Sequence, residues 1–124
     1  EVNSLIEELE SMAKRDRHEL VSHFIILIAH LLKWQFQLKQ LQNYWDSWQG
    51  GSWRSSIIEQ RLQIDRQLEL SPSLKPHLLE TIHKAYPRAV ELASEETGLP
   101  RKTFPKSCPY TLGQLLNKKF FPED

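Results

Sequence analysis

Histidine and glutamate side chains at helical spacing are the first candidates for chemistry in this sequence. Glu80 and His83 form a Glu-x-x-His pair, the pattern that supplies ligands to di-iron sites in helical bundles, although such sites need two of these pairs. His23 and His30 are one heptad apart and share a helix face. A metal site built from all four is one hypothesis. The alternative is that His23 and His30 bond to neighbours inside a bundle and His83 lies at the surface.

Nucleophilic residues form no recognisable catalytic pattern. Cys108 lies between Ser107 and Pro109 without an adjacent histidine, and the serines within predicted helices lack the strained turn that presents a catalytic serine. A glycine-rich phosphate loop is also missing from the sequence. These patterns favour a non-enzymatic role. The alternative is a metal-dependent or thiol enzyme whose site lies between the helices predicted over residues 16–49 and 75–97.

The charge distribution disfavours nucleic acid as a partner. Sixteen basic residues balance sixteen acidic ones, whereas a general polyanion binder needs a clustered positive surface. Basic residues around Trp34 alternate with acidic ones, and the spacing predicts an exposed Arg61–Asp65 pair on one helix. An antitoxin-like or regulatory nucleic-acid binder remains the third hypothesis.

Composition predicts one domain that spans residues 1–124 and buries its own core. Hydrophobic residues make up 40% of 124 residues, and the longest apolar run, Phe24 to Leu32, is interrupted by His30 and is far shorter than the roughly 20 residues that cross a bilayer. The single cysteine precludes an internal disulfide and fits the cytoplasm. We expect no membrane association and no cofactor.

The spacing of large apolar residues predicts one long central helix over residues 16–49. These residues alternate at intervals of four and three over four heptads, without an intervening proline or glycine. The first half is also apolar off this seam, so it should lie at the centre of the fold. The seam comprises Leu20, Phe24, Leu27, Leu31, Trp34, Leu38, Leu41, Trp45 and Trp48.

Gly50 and Gly51 predict an abrupt turn after this helix. A third helix, residues 52–69, should then fold back over the distal half of the long helix. This arrangement places all four tryptophans, Trp34, Trp45, Trp48 and Trp53, in or near the tip of an antiparallel hairpin. We expect this aromatic hairpin to bind a protein partner or a second copy of the chain, most simply as a homodimer.

Shorter signals predict the remaining elements. Ser4 to Glu7 reads as a capping box that starts a helix over residues 4–14, and Asp16 to Glu19 repeats the pattern as a restart. Residues 71–76 resemble a loop, residues 75–97 a helix kinked at Pro87, and residues 98–100 a helix stop. An aromatic C-terminal arm should contain one short helix capped by Thr111. The predicted fold is all-α, an antiparallel helical bundle with one long central helix, a helical hairpin and this arm.

Six motifs in fixed order make the chain resemble an uncharacterised bacterial family, domain of unknown function twenty-nine. The resemblance covers nearly the whole chain and implies an all-helical fold without assigning a catalytic residue. Members typically carry an additional N-terminal segment, so we expect that a short stretch precedes residue 1. Many members also have a proline soon after LLKWQ, where this chain has Leu38. The motifs are LIEELESM, HLLKWQFQ, SWRSSIIEQR, SPSLKP, ETGLP and TFPKSCPYTLGQLL.

Overall fold

The computed structural model describes residues 1–38 and 47–122, and the side chains of 1–37 and 52–122. All its regular elements are helical within these ranges, which confirms the predicted all-α class. The α-helices are α1 (Val2–Lys33), α2 (Ser47–Leu70), α3 (Leu78–Thr97) and α4 (Leu112–Leu116). A π-helical turn covers Trp34–Leu38, and 3-10 turns cover Pro72–His77 and Arg101–Thr103.

Helix α1 runs through the predicted restart at Asp16 without interruption. The capping-box pattern at Asp16 is therefore a wrong prediction, and Asp16 lies inside a helix of 32 residues. Its backbone carbonyl instead accepts a hydrogen bond of 2.6 Å from Nε2 of Gln67. A capping residue begins a helix only where its own backbone is not helical. Asp16 is itself helical, as are the residues before it, so its side chain does not cap a helix.

Two further predictions for the long helix are also wrong. The α-helix ends at Lys33 and passes into the π-helical turn, so it does not continue regularly through the predicted seam. Gly50 and Gly51 lie within α2, which begins at Ser47, so they do not form the hairpin turn. Glycine permits a turn but does not impose one. The seam residues Leu41 and Trp45 lie outside the described residues.

Helix α1 is the centre of the fold and lies between α2 and α3. Residues nearer the start of α1 contact residues nearer the end of α2. Nδ1 of His23 lies 2.8 Å from Oε1 of Gln60, whereas Lys33, ten residues later in α1, lies near Trp53, seven residues earlier in α2. Helix α2 is thus antiparallel to α1 and packs beside residues 16–33, not beside the predicted distal half. Helix α3 is parallel to α1, because Lys33 pairs with Glu96 near the end of α3.

The first half of the predicted seam is the main line of core residues. Leu20, Phe24, Leu27 and Leu31 are fully buried, and so are the off-seam residues Ile28 and Leu32. Because a helix buried on more than one side must be apolar on more than one side, the prediction that this stretch forms the centre of the fold is confirmed. Each large buried side chain contributes about 1.5–3 kcal/mol to folding, so the burial of this stretch is a major source of stability.

The C-terminal half follows the predicted order with one change. The predicted loop at Ser71–Pro76 is a 3-10 turn, and α3 is unbroken at Pro87. Gly98 adopts the left-handed conformation (φ 77°), and its N–H donates to the carbonyl of Ser94, so the predicted helix stop is confirmed. Thr111 caps α4 in a reciprocal capping box with Gln114, as predicted.

Arg61 of α2 binds the C-terminal arm through hydrogen bonds. Its side chain is 2% exposed, and it donates to the carbonyls of Leu115 (2.8 Å), Phe120 (2.7 Å) and Gln114 (3.1 Å). The predicted Arg61–Asp65 pair is therefore wrong, and Asp65 pairs with Lys118 at 3.0 Å. Burial lowers the pKa of the guanidinium. A planar group with several donors can satisfy three carbonyls at once, including two at the end of α4.

We expect Arg61→Lys to lower the free energy of unfolding by about 2–4 kcal/mol, because an ammonium cannot reproduce the three-pronged geometry and leaves buried carbonyls unpaired. Urea denaturation followed by circular dichroism measures the change. The matched control is Arg66→Lys on the exposed face of α2, which should stay within about 0.5 kcal/mol of the wild type. Equal losses in the two variants would contradict the assignment.

Candidate functional site

Residues 33–37 connect the end of α1 to the C-terminal half of the chain. Each of the five consecutive side chains has its own distant partner: Lys33 with Glu96, Trp34 with Phe121, Gln35 with Tyr110, Phe36 with Phe104, and Gln37 with Thr97. A regular α-helix points consecutive side chains about 100° apart, and the wider π-helical turn changes these directions. The motif HLLKWQFQ therefore has a structural role at its C-terminal end.

The tryptophans predicted to form an interaction surface do not assemble into an exposed hairpin tip within the described side chains. Trp34 is half-buried, with its ring centroid 5.0 Å from that of Phe121. Trp53 is also half-buried, and Nζ of Lys33 lies 5.8 Å from its ring centroid. Trp45, and the side chain of Trp48, lie outside the described part. Two of the four indoles thus stabilise the junction between α1, α2 and the arm.

Lys33 is the most buried lysine in the described part, at 5% exposure. Its Nζ lies 2.8 Å from Oε1 of Glu96, which is half-exposed. A buried ammonium without a counter-charge is strongly unfavourable, so this pair fixes the end of α3 against the end of α1. Charged residues are usually exposed, so sequence reasoning missed the burial of Lys33; only its position directly after the apolar Leu31 and Leu32 could have suggested it.

The structure does not bring together the four residues of the predicted metal site. His23 bonds to Gln60 on α2 and lies 3.7 Å from Glu19, whereas His30 bonds to its own helix at the carbonyl of Ile26. Glu80 is exposed beside His77 and Lys84, and His83 is exposed on α3. Among the described residues, no three His, Cys, Asp or Glu side chains are grouped closely enough to share a metal ion.

Cys108 is half-buried in the arm, and its Sγ contacts the backbone carbonyl of Tyr110 at 3.5 Å. Burial raises the pKa of this thiol, which keeps it protonated and weakens it as a nucleophile. Cys108 and His83 line a small cavity of about 240 Å³, together with Tyr86 and Lys106. Burial also raises the pKa of Tyr86, to about 12, so its hydroxyl stays a neutral donor to the carbonyl of Pro105.

The N-terminal part of α1 is exposed and carries most of the large exposed apolar side chains of the described part. Every residue from 1 to 15, called here the projecting segment, is exposed. It carries an apolar stripe of five side chains that are 46% to 71% exposed: Val2, Leu5, Ile6, Leu9 and Met12. The sequence predicted a separate short helix over residues 4–14 and a restart at Asp16. Because α1 instead continues through Asp16, this stripe lies on the same helix as the core residues and remains exposed.

The fold is that of a small helical domain whose first helix carries an exposed apolar stripe. The chain belongs to the family Domain of unknown function DUF29, which it matches over residues 1–121. No curated protein and no solved structure matches the chain. None of the helices in the described part combines the length and the apolar character needed to cross a membrane.

We expect the fold to lose stability in mild acid because of His30. Burial lowers the pKa of this side chain below its ordinary value of 6.5, and the charge of Lys33 acts in the same direction, while the Ile26 carbonyl and Glu96 oppose it. The unfolded chain therefore binds a proton at a higher pH than the folded chain. The resulting stability is present above pH 6.5 and is lost as the pH falls through the lowered folded value.

Urea denaturation at pH 7.5 and pH 5.5 measures this effect. The difference in the free energy of unfolding between the two pH values should shrink in His30→Gln, which removes the titrating group. Replacement of an exposed histidine in His18→Gln is the matched control and should keep most of the wild-type difference. An unchanged pH dependence in His30→Gln would contradict the assignment.

Proposed function

We propose that this chain is a non-enzymatic protein-interaction module that forms a homodimer through the apolar stripe of α1. One observation carries the proposal: an exposed apolar face, not covered by any residue that the structure describes, continues directly from the buried core face of the same helix. The single, half-buried cysteine agrees with a reducing compartment such as the cytoplasm. The docking surface differs from the aromatic hairpin suggested by the sequence, because Trp34 and Trp53 have contacts within the fold.

The stripe lies on the helix face that is buried further along α1. From Leu20 back to Met12, Leu9, Leu5 and Val2, the intervals are multiples of three and four residues, which keeps them on one side of the helix. Helix α2 ends near Asp16, whose carbonyl accepts a hydrogen bond from Gln67 in the last turn of α2, and α3 begins beside the same part of α1. The projecting segment thus extends the core face by about 22 Å, at about 1.5 Å per residue, beyond the helices that cover it.

A second copy of the same helix is the partner that its charges fit. The projecting segment is acidic in its first two-thirds, at Glu1, Glu7, Glu8 and Glu10, and basic afterwards, at Lys14 and Arg15. Two such helices repel each other in a parallel pair and attract each other in an antiparallel pair. An antiparallel pair also forms a closed two-fold contact, the commonest form of homodimer.

One antiparallel register pairs apolar residues at the C-terminal end of the stripe with each other and also brings opposite charges together. With Leu9 of one copy opposite Met12 of the other, Ile6 packs beside Ala13 of the second copy. Glu8 then lies beside Arg15 of the second copy, and the symmetry repeats each contact. Neither Glu8 nor Arg15 forms an ion pair with any residue in the described part, so both charges are available.

We expect Leu9→Asp to weaken dimerisation at least about tenfold, because it places a charge at the centre of the apolar contact. Sedimentation velocity over a range of protein concentrations measures the monomer–dimer equilibrium. Leu79→Asp is the matched control, since Leu79 is 72% exposed on α3, away from the stripe, and its replacement should leave the equilibrium unchanged. A wild-type protein that stays monomeric at every concentration contradicts the proposal.

Charge reversal separates a second copy from other apolar partners. Glu8→Arg alone should weaken the dimer, and so should Arg15→Glu alone, because each places like charges side by side. The double variant with both substitutions restores opposite charges and should recover most of the wild-type affinity. Additive losses in the double variant would contradict the antiparallel register.

A further inference from the structure

A groove between α1 and α3 lies on a different face of α1 from the apolar stripe. It has a volume of about 610 Å³, within the range of about 300–1,000 Å³ that small-molecule sites occupy. Its half-buried floor includes Val21 and Ile25 from α1. The groove is therefore large enough for one ligand of small-molecule size and has an apolar base.

The walls of this groove are strongly basic, although the chain as a whole has no net charge. Lys14 and Arg17 line it from α1, Lys84 and Arg88 line it from α3, and Glu80 is its single carboxylate. Basic and acidic residues are balanced in the whole chain, but basic residues predominate in this groove. Such a cleft with low-dielectric walls concentrates the positive potential and attracts anions.

Most of this positive charge has no counter-charge among the residues that the structure describes. The carboxylate of Glu80 lies 3.4 Å from Nζ of Lys84, so these two largely compensate each other. Lys14, Arg17 and Arg88 form no ion pair with the residues that the structure describes. Three uncompensated cations around one cavity repel one another, and their N–H groups remain available to bind an anion.

The spacing of the cations favours a ligand with more than one anionic group. Lys14 and Arg17 line the groove from α1, and Arg88 lines it from α3, so the three uncompensated cations lie on two separate walls. A chain of phosphate groups can contact cations on both walls at once more readily than a single carboxylate can. Guanidinium groups bind phosphate oxygens through two parallel hydrogen bonds, which suits Arg17 and Arg88.

From the cavity, its charge and its free donors we infer that the α1–α3 groove binds a small molecule that carries two or more phosphate groups. Arg17 and Arg88 bind the phosphate oxygens from opposite walls, Lys14 adds charge at the open end, and Val21 and Ile25 contact the uncharged part of the ligand. The site is independent of dimerisation, because it uses the face of α1 that the apolar stripe does not occupy.

Isothermal titration calorimetry with the whole chain tests this site, with inorganic tripolyphosphate and ATP as probes and a hexaglutamate peptide as competitor. We expect both phosphate probes to bind, and Arg17→Ala and Arg88→Ala each to weaken binding about tenfold. Arg66→Ala removes an equal charge from the exposed face of α2 and should leave the affinity unchanged. Leu9→Asp should also bind as the wild type does, which separates this site from dimerisation.

The two phosphate probes identify the source of the phosphate groups. Tighter binding of ATP indicates a nucleotide, and equal or tighter binding of tripolyphosphate indicates recognition of the phosphate chain alone. Absence of binding at about 1 mM, or an equal loss in Arg66→Ala, overturns the proposal. Preferential binding of the hexaglutamate peptide overturns it in favour of an acidic protein segment. Circular dichroism of each variant checks that the fold is retained.

Discussion

Burial of the second half of α1 between α2 and α3 is the constraint on which the rest of the structure depends. Leu20, Phe24, Leu27 and Leu31 are fully buried, and they provide the surface against which the other helices pack. Because α1 begins well before this stretch and α2 runs antiparallel to it only as far as Asp16, the early part of α1 extends beyond its neighbours. The central packing therefore determines both the core and the surface left uncovered.

The two ends of α1 have opposite roles. At the C-terminal end, the π-helical turn distributes the side chains of residues 33–37 over α3 and the arm, while Arg61 closes the arm onto α2 from the other side. At the N-terminal end, the apolar stripe is exposed, and the α1–α3 groove is lined by three cations that form no ion pair with the described residues. One end stabilises the fold, and the other carries the surfaces through which we propose that it acts.

The sequence predicted the parts of the fold that depend on local patterns. Apolar spacing identified the buried face of α1, Gly98 identified the C-terminal end of α3, and Thr111 identified the start of α4. It failed where tertiary contacts decide the outcome. Gly50 and Gly51 are compatible with either a turn or a helix, and Arg61 resembles a surface residue until the carbonyls that it binds are known. The stripe was visible, but only the length of α1 relative to its neighbours shows that nothing in the described chain covers it.

Disulfide trapping of the projecting segment tests the central claim most directly. In a Cys108→Ser background, separately purified Leu9→Cys and Met12→Cys proteins are mixed, oxidised slowly and analysed by mass spectrometry. The antiparallel register predicts that the mixed dimer forms in preference to either homodimer, because it places position 9 of one copy opposite position 12 of the other. Preferential linkage of each protein to itself, or no linkage above that of Leu79→Cys, would contradict the account.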